Sequence, residues 1–189
     1  MKLTPGDPMI DPDDFWVFGY ASLMWRPGFT FAEAQPAALT GYRRDMCFLS
    51  IHYRGTSDAP GLVCGLMQSD SDVCKGLAYR VDRADISTAM DYLDVRELVT
   101  DIYIPRHLPI VLTGGRTVTA RIYVADDAHA QFVGCWTDDE KAAAIVRGTG
   151  SEGRSLDYLA NVVAHLHDMG IDDTHLTALL KMSRARGCS

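Results

Sequence analysis

After Thr137 the apolar residues of this 189-residue chain recur every three or four positions, whereas before it they come in short runs or alternate. That change of period marks a strand-rich first two-thirds and a helical last third, which is the α+β class. Residues 15–20 are short, aromatic and contain β-branched Val17, the mark of a buried strand. Residues 42–54 predict a long strand with Cys47, Leu49, Ile51 and Tyr53 on one face. Residues 62–68 and 75–81 predict two more strands, separated by a polar turn at 69–72. Glycines 61, 65 and 76 fit the bulges or tight bends of a small barrel. Strand pattern returns over 102–112 and, beyond Gly114-Gly115, over 116–124, a predicted hairpin. Residues 31–39 stay open between a short helix and irregular chain.

Four helices are expected. Residues 84–94 carry Ile86, Ala89, Met90 and Leu93 at helical spacing, with Asp82 or Asp85 to cap the start. Thr137-Asp-Asp-Glu140 is a capping box that precedes residues 142–147. Ser155 opens a third helix, with Leu156, Leu159, Val163 and Leu166 on one face and Gly170 stopping it. Residues 172–186 make the fourth. With no linker or repeat visible, the expectation is a single domain over 1–189 in which residues 1–14 form a loose arm.

The net charge of -7 argues against nucleic acid as a main partner and against anionic membrane surfaces, both of which need a basic field. The Arg43-Arg44 pair remains able to hold a small anion. No apolar stretch approaches the roughly 20 residues that span a bilayer. The N-terminus lacks the apolar core of a signal peptide, so the expected location is cytoplasmic. Cys47, Cys64, Cys74, Cys135 and Cys188 are odd in number and contain no C-x-x-C pair. That predicts reduced, mostly buried thiols rather than disulfides or a zinc site.

Several common chemistries find no pattern here. His165 and His167 lie two apart on a predicted helix and point to different faces, and the other histidines are scattered. Ser22 lacks the G-x-S-x-G context of a hydrolase elbow. Residues 148–153 match G-x-G-x-x-G by spacing alone, but they follow a helix and read as a helix-to-helix loop. Glu97 is more informative, because it stands where a helix gives way to apolar chain. A carboxylate desolvated there has a raised pKa and becomes a usable base. Taken alone, it reads first as a surface carboxylate paired with Arg96 or another cation.

Four stretches, in order, resemble the ChaC-type γ-glutamylcyclotransferases. "WVFGYASLMWRPGF" (16–29) is similar to that family's Gly-Tyr-Gly-Ser-Leu-Met-Trp opening, and "YRGTSDAPGLVCGL" (53–66) to its R-G-T…P-G-L-V-x-G-L block. "GLAYRV…MDYLDVRE" (76–97) resembles the G-x-A-Y-R-V…Y-L-x-x-R-E block, and residues 145–171 resemble the family's G-x-x-G-x-N-x-x-Y-L helix start. The resemblance implies a small mixed β-barrel with peripheral helices. It also implies cleavage of γ-glutamyl compounds, glutathione first, by intramolecular cyclisation to 5-oxoproline and the released amine, with no metal or organic cofactor.

By the same resemblance Glu97 is the general acid/base, while Tyr20, Ala21, Ser22 and Leu23 line the γ-glutamyl pocket. Tyr103 orients the substrate or polarises its carbonyl. Arg54, or less directly Arg44, is the candidate for the glycine carboxylate of glutathione. Three departures carry expectations of their own. Ala21 stands where the family has glycine and would be strained at positive φ. Asp101-Ile102 replaces Gly-Gly before the tyrosine and stiffens a substrate loop. Ser155 replaces an asparagine as helix N-cap. Alternative readings are a cyclotransferase for other γ-glutamyl amines or amino acids, and a non-catalytic binding or regulatory protein linked to cation transport.

Overall fold

The computed structural model describes residues 11 and 13–187. Most of the predicted N-terminal arm, and Cys188, lie outside the described residues. The elements in chain order are β1 (Phe15–Gly19), a 3-10 turn (Ser22–Met24), β2 (Glu33–Ser50), β3 (Gly61–Val81), α1 (Ile86–Glu97), β4 (Tyr103–Leu112), β5 (Thr117–Ala125), α2 (Asp138–Arg147), the two-residue strands β6 (Thr149–Gly150) and β7 (Gly153–Arg154), α3 (Ser155–Asp168) and α4 (Thr174–Gly187). Strands β1 to β5 close a barrel in the order β1-β3-β2-β4-β5, and β6 and β7 form a separate small hairpin. The fold is the expected α+β barrel with peripheral helices. β1 runs antiparallel to β3, with Val17 opposite Tyr79, and parallel to β5, with Trp16 opposite Ala120. The β4–β5 hairpin forms as predicted, turning at Gly114 and Gly115.

The structure corrects several local expectations. Residues 69–72 are not a turn, since β3 runs unbroken for 21 residues. Gln68, Asp70, Ser71 and Val73 are exposed there. Polar side chains on a solvated stretch do not oppose an extended backbone, and the Ser69 hydroxyl donates to the Asp72 carboxylate at 2.6 Å. Residues 31–39 are neither helix nor irregular throughout, because β2 begins at Glu33. β2 ends at Ser50, and Ile51 and Tyr53 are exposed rather than inward. Residues 44–48 are buried without alternation, so that strand is covered on both faces. Residues 148–153 carry the β6–β7 hairpin instead of a plain loop.

Ser155 is not the cap of α3 but its first residue, after Arg154. Its buried hydroxyl accepts from the Leu62 amide at 2.9 Å and donates to the Leu62 carbonyl at 2.8 Å. The buried face of α3 carries Tyr158, Leu159, Val162 and Leu166, about one position round from the predicted face. The capping box of α2 is present in both directions: the Thr137 hydroxyl accepts from the Glu140 amide at 3.3 Å, and the Thr137 amide donates to the Glu140 carboxylate at 2.8 Å.

Residue contacts divide the chain into two compact units, Met1–Arg44 with Leu66–Asp126 and Asp45–Gly65 with Asp127–Ser189. In the first, α1 lays Ala89 and Leu93 against Phe15, Val17, Leu23, Val81 and Tyr123, with Ile86, Met90, Leu98 and Tyr103 around them. Burying each large apolar side chain stabilises by about 1.5–3 kcal/mol, and this cluster seats the last turn of α1. In the second, α2, α3 and α4 pack through Ala142, Ile145, Leu159, Val162, Leu176 and Leu179. A Cβ on Gly148 would fall 2.1 Å from the Gly61 Cα, so two backbone segments meet there with no room for a side chain.

The same unit buries a charge cluster. The Asp45 carboxylate, 1% exposed, accepts from Lys141 Nζ at 2.7 Å and from His175 Nε2 at 3.2 Å, and Lys141 is 3% exposed. Burial works to raise the Asp45 carboxyl, but the hydrogen bonds and charges of His175 and Lys141 outweigh it and leave the group below its ordinary value. The bond to Asp45 raises His175. Among the described residues no helix is long and apolar enough to cross a membrane.

Candidate active site

The loop that follows β1 is fixed from several sides of the first unit. Tyr20 is buried and its hydroxyl donates to the Tyr123 carbonyl at 2.9 Å. Tyr79 donates to the carbonyls of Leu23 at 2.8 Å and Met24 at 3.1 Å. Burial pushes the Tyr79 phenol up to about 12, which keeps it a neutral donor. Within the turn, the Met24 amide reaches the Ala21 carbonyl at 2.8 Å and the Arg26 amide reaches the Ser22 carbonyl at 2.9 Å. The opening amides, at Ser22 and Leu23, have no carbonyl inside the turn to reach. Ala21 has φ -139, outside the left-handed region, so the strain expected for alanine at this position does not arise.

Glu97 is the last residue of α1 and only 16% exposed, with Oε1 3.0 Å from Arg96 Nε. Burial raises its carboxyl above the ordinary carboxylate value and the neighbouring guanidinium pulls it down; burial prevails. Arg96 also donates from Nη2 to the Ser22 hydroxyl at 2.9 Å and from Nη1 to the Tyr92 hydroxyl at 3.2 Å and the Arg26 carbonyl. One side chain therefore joins Ser22 to Glu97. Three residues earlier on α1, Asp94 accepts from the Tyr123 hydroxyl at 2.7 Å and from Arg121 Nη2 at 2.5 Å, and Arg121 Nε donates to that same hydroxyl at 3.1 Å. Burial, above all, lifts the Tyr123 phenol well above its usual range. This network ties the end of α1 to β5.

Tyr103 opens β4 and packs, half-buried, against the apolar cluster that contains Leu23. Just before it, Asp101 has φ 54, the one left-handed non-glycine among the described residues. An L-residue there carries a cost of roughly 1–2 kcal/mol, which a short polar side chain moderates. Asp101→Val should therefore lower stability by about 1–2 kcal/mol in urea unfolding, while Asp101→Gly should be neutral or stabilising. Equal losses in both variants would mean that the side chain, not the backbone, matters at this position.

Arg54 lies in the second unit. Its amide donates to the Ser50 hydroxyl at 2.9 Å, its guanidinium donates to the Glu152 carbonyl, and it sits 5.2 Å from the centre of the Tyr158 ring. Arg44 is 5% exposed and donates to the Lys75 carbonyl and to Cys74 Sγ at 3.2 Å, so its charge is drawn into the fold rather than offered at the surface. Ser22 and Glu97 are thus joined through Arg96, Tyr20 is joined to Tyr123, and Leu23 and Tyr103 share one cluster. Sequence reasoning did not single out Tyr79, Asp94, Arg121 or Tyr123, and it gave Arg96 no role beyond pairing with Glu97. Tyr79, Asp94 and Arg96 all fall within "GLAYRV…MDYLDVRE", whereas Arg121 sits in an apolar strand with no local signal. Among the described residues, no group of three or more His, Cys, Asp or Glu side chains could hold a metal ion.

Comparison with known proteins gives the chain a family. Residues 15–186 match the family described as ChaC-like protein. The chain is 31% identical over 170 residues to a glutathione-specific γ-glutamylcyclotransferase of Escherichia coli, covering 90% of this chain and 73% of that one. It is 33% identical to γ-glutamylcyclotransferase 2-3 of Arabidopsis thaliana, covering 89% and 88%. A crystal structure of the γ-glutamyl cyclotransferase specific to glutathione from yeast superposes with a TM-score of 0.82 at 25% identity, over 92% of this chain and 96% of that one. The chain belongs to the ChaC-like family.

Proposed function

We propose that this protein converts glutathione to 5-oxoproline and Cys-Gly. The observation that carries the reading is a largely enclosed glutamate, raised in pKa and joined through Arg96 to the Ser22 loop. The specificity named for the relatives from E. coli and yeast points to the same substrate. In the reaction the α-amine of the γ-glutamyl group attacks its own γ-carbonyl carbon. The new C–N bond closes a five-membered lactam as the bond to the cysteinyl nitrogen breaks. Glu97, as carboxylate, takes the proton from the attacking amine and returns it to the leaving nitrogen.

Because nucleophile and electrophile share one molecule, the protein's first task is to hold the folded conformer. Tyr20 serves as a wall, since its hydroxyl is occupied by Tyr123. Ser22 and Leu23 offer the turn's opening amides, and Ser22 its hydroxyl, to the γ-glutamyl end, with Ala21 lining the pocket beside them. Tyr103 orients the carbonyl. A cytoplasmic setting fits Cys47, Cys64, Cys74 and Cys135 as thiols, because that compartment keeps them reduced.

The test incubates purified protein with glutathione and follows 5-oxoproline and Cys-Gly together. Equimolar appearance of both is expected. Turnover of other γ-glutamyl amines but not glutathione would move the substrate assignment. No product from any γ-glutamyl compound would overturn the enzyme reading.

A further inference from the structure

Each donor-bearing nitrogen of the Arg96 guanidinium has a partner. Nε meets Glu97, Nη2 meets Ser22, and Nη1 serves the Arg26 carbonyl and the Tyr92 hydroxyl. The loop also comes close to this spot at Gly28, which has φ 75 and where a Cβ would lie 1.9 Å from the Tyr92 hydroxyl. Adjacent side chains on a helix do not face each other. The contact between Arg96 and Glu97 therefore owes its geometry to the loop acceptors that fix the planar guanidinium. A rigid fork of donors can do this, and a single ammonium cannot.

We propose that Arg96 is the positioning residue of this site, holding the Glu97 carboxylate in one orientation relative to the loop at residues 20–23. The proposal rests on the reading of Glu97 as the acid/base. Its consequence is that loop and base move as one piece, so an error in the loop is transmitted to the carboxylate. Asp94, one turn back on α1, is closed on Arg121 and Tyr123 of β5, the Tyr92 hydroxyl meets Arg96 rather than Glu97, and the charge that acts on Glu97 is that of Arg96.

The test compares Arg96→Met and Arg96→Lys in the full chain. A misplaced base costs about 10²-fold, so both variants should lose kcat by that order, with a smaller change in KM. The two differ in pH behaviour. Arg96→Met removes the charge that lowers Glu97, so the acid limb of the kcat/KM profile should move to higher pH. In Arg96→Lys, which keeps a charge, the limb should stay near its wild-type position. A carbon NMR titration of the Glu97 carboxyl should show the same ordering without relying on activity. Arg96→Met with wild-type kcat and an unmoved limb would overturn the proposal, as would full rescue of kcat by lysine. Should Glu97→Gln retain turnover, the acid/base reading itself fails, a different result from wild-type behaviour in the Arg96 variants.

Discussion

Glu97→Gln is expected to lower kcat by roughly 10²- to 10⁴-fold, the range general acid–base catalysis supplies, and at the same time to make the protein more stable at neutral pH. The first effect follows because an amide cannot accept the ammonium proton. The second follows from burial, which holds Glu97 above its ordinary value even against Arg96. A carboxyl raised on folding contributes stability that is complete below its unfolded pKa of about 4.3 and lost as pH rises through the folded value. As that carboxyl ionises, the wild-type protein comes to hold a charge where the fold would rather have none. Glutamine mimics the neutral form, so the thermal unfolding curves of the two proteins should converge in acid and separate toward pH 7, with Glu97→Gln melting higher. A lower midpoint for the variant at pH 7 would mean that the ion pair with Arg96 outweighs burial, and the stated origin of the raised pKa would be wrong.

Lys141→Met is expected to cost about 3–5 kcal/mol, because breaking a buried pair leaves its partner charged and uncompensated. Asp45 is almost wholly buried, and its remaining partner, His175, is 37% exposed and more readily hydrated. For a chain of this size the loss corresponds to a fall in midpoint on the order of 10 °C. Replacing both partners with apolar residues, as in Asp45→Leu with Lys141→Met, should cost much less than the single change. The pH dependence has two parts. Asp45, held below its ordinary value, contributes fully above the unfolded carboxylate pKa of about 3.9, and that part is lost as pH falls through the folded value. His175, raised by Asp45, contributes below about 6.5 and its part fades as pH climbs through the raised value. Denaturant midpoints measured across pH 3–9 check both limbs. A Lys141→Met variant within about 1 kcal/mol of wild type would show that the pair is not holding this unit together.

Periodicity made the α+β layout legible, and the motif stretches pointed to Glu97 and the loop at residues 20–23. What periodicity could not convey was anything that depends on partners distant in sequence. Residues 69–72 look like a turn because they are polar, yet a strand with solvent around it needs no apolar side chains. Ser155 looks like an N-cap, and only its two hydrogen bonds to Leu62, 93 residues away, show that it bridges backbone instead. Ala21 stands where the resembling family pattern has glycine and would be strained only at a positive φ, which the loop does not use. Asp101 is the reverse case: it does occupy the left-handed region, at a position where the resemblance has glycine and only a stiffer loop was expected. Arg96 was visible as half of an arginine–glutamate pair. Its reach to Ser22, 74 residues earlier, belongs to the folded chain alone.

The pairing of Asp45 with Lys141 and His175 also governs the order in which the chain can fold. The unit that contains it joins residues 45–65 to everything after 126, so its partners are made 96 and 130 residues apart. During synthesis the aspartate must wait, charged and hydrated, until α2 and then α4 have left the ribosome. Contacts of such long sequence separation slow folding because loop closure precedes the gain. A nascent chain released before α4 should thus remain open to protease over residues 45–50, where the full chain is a buried or half-buried strand.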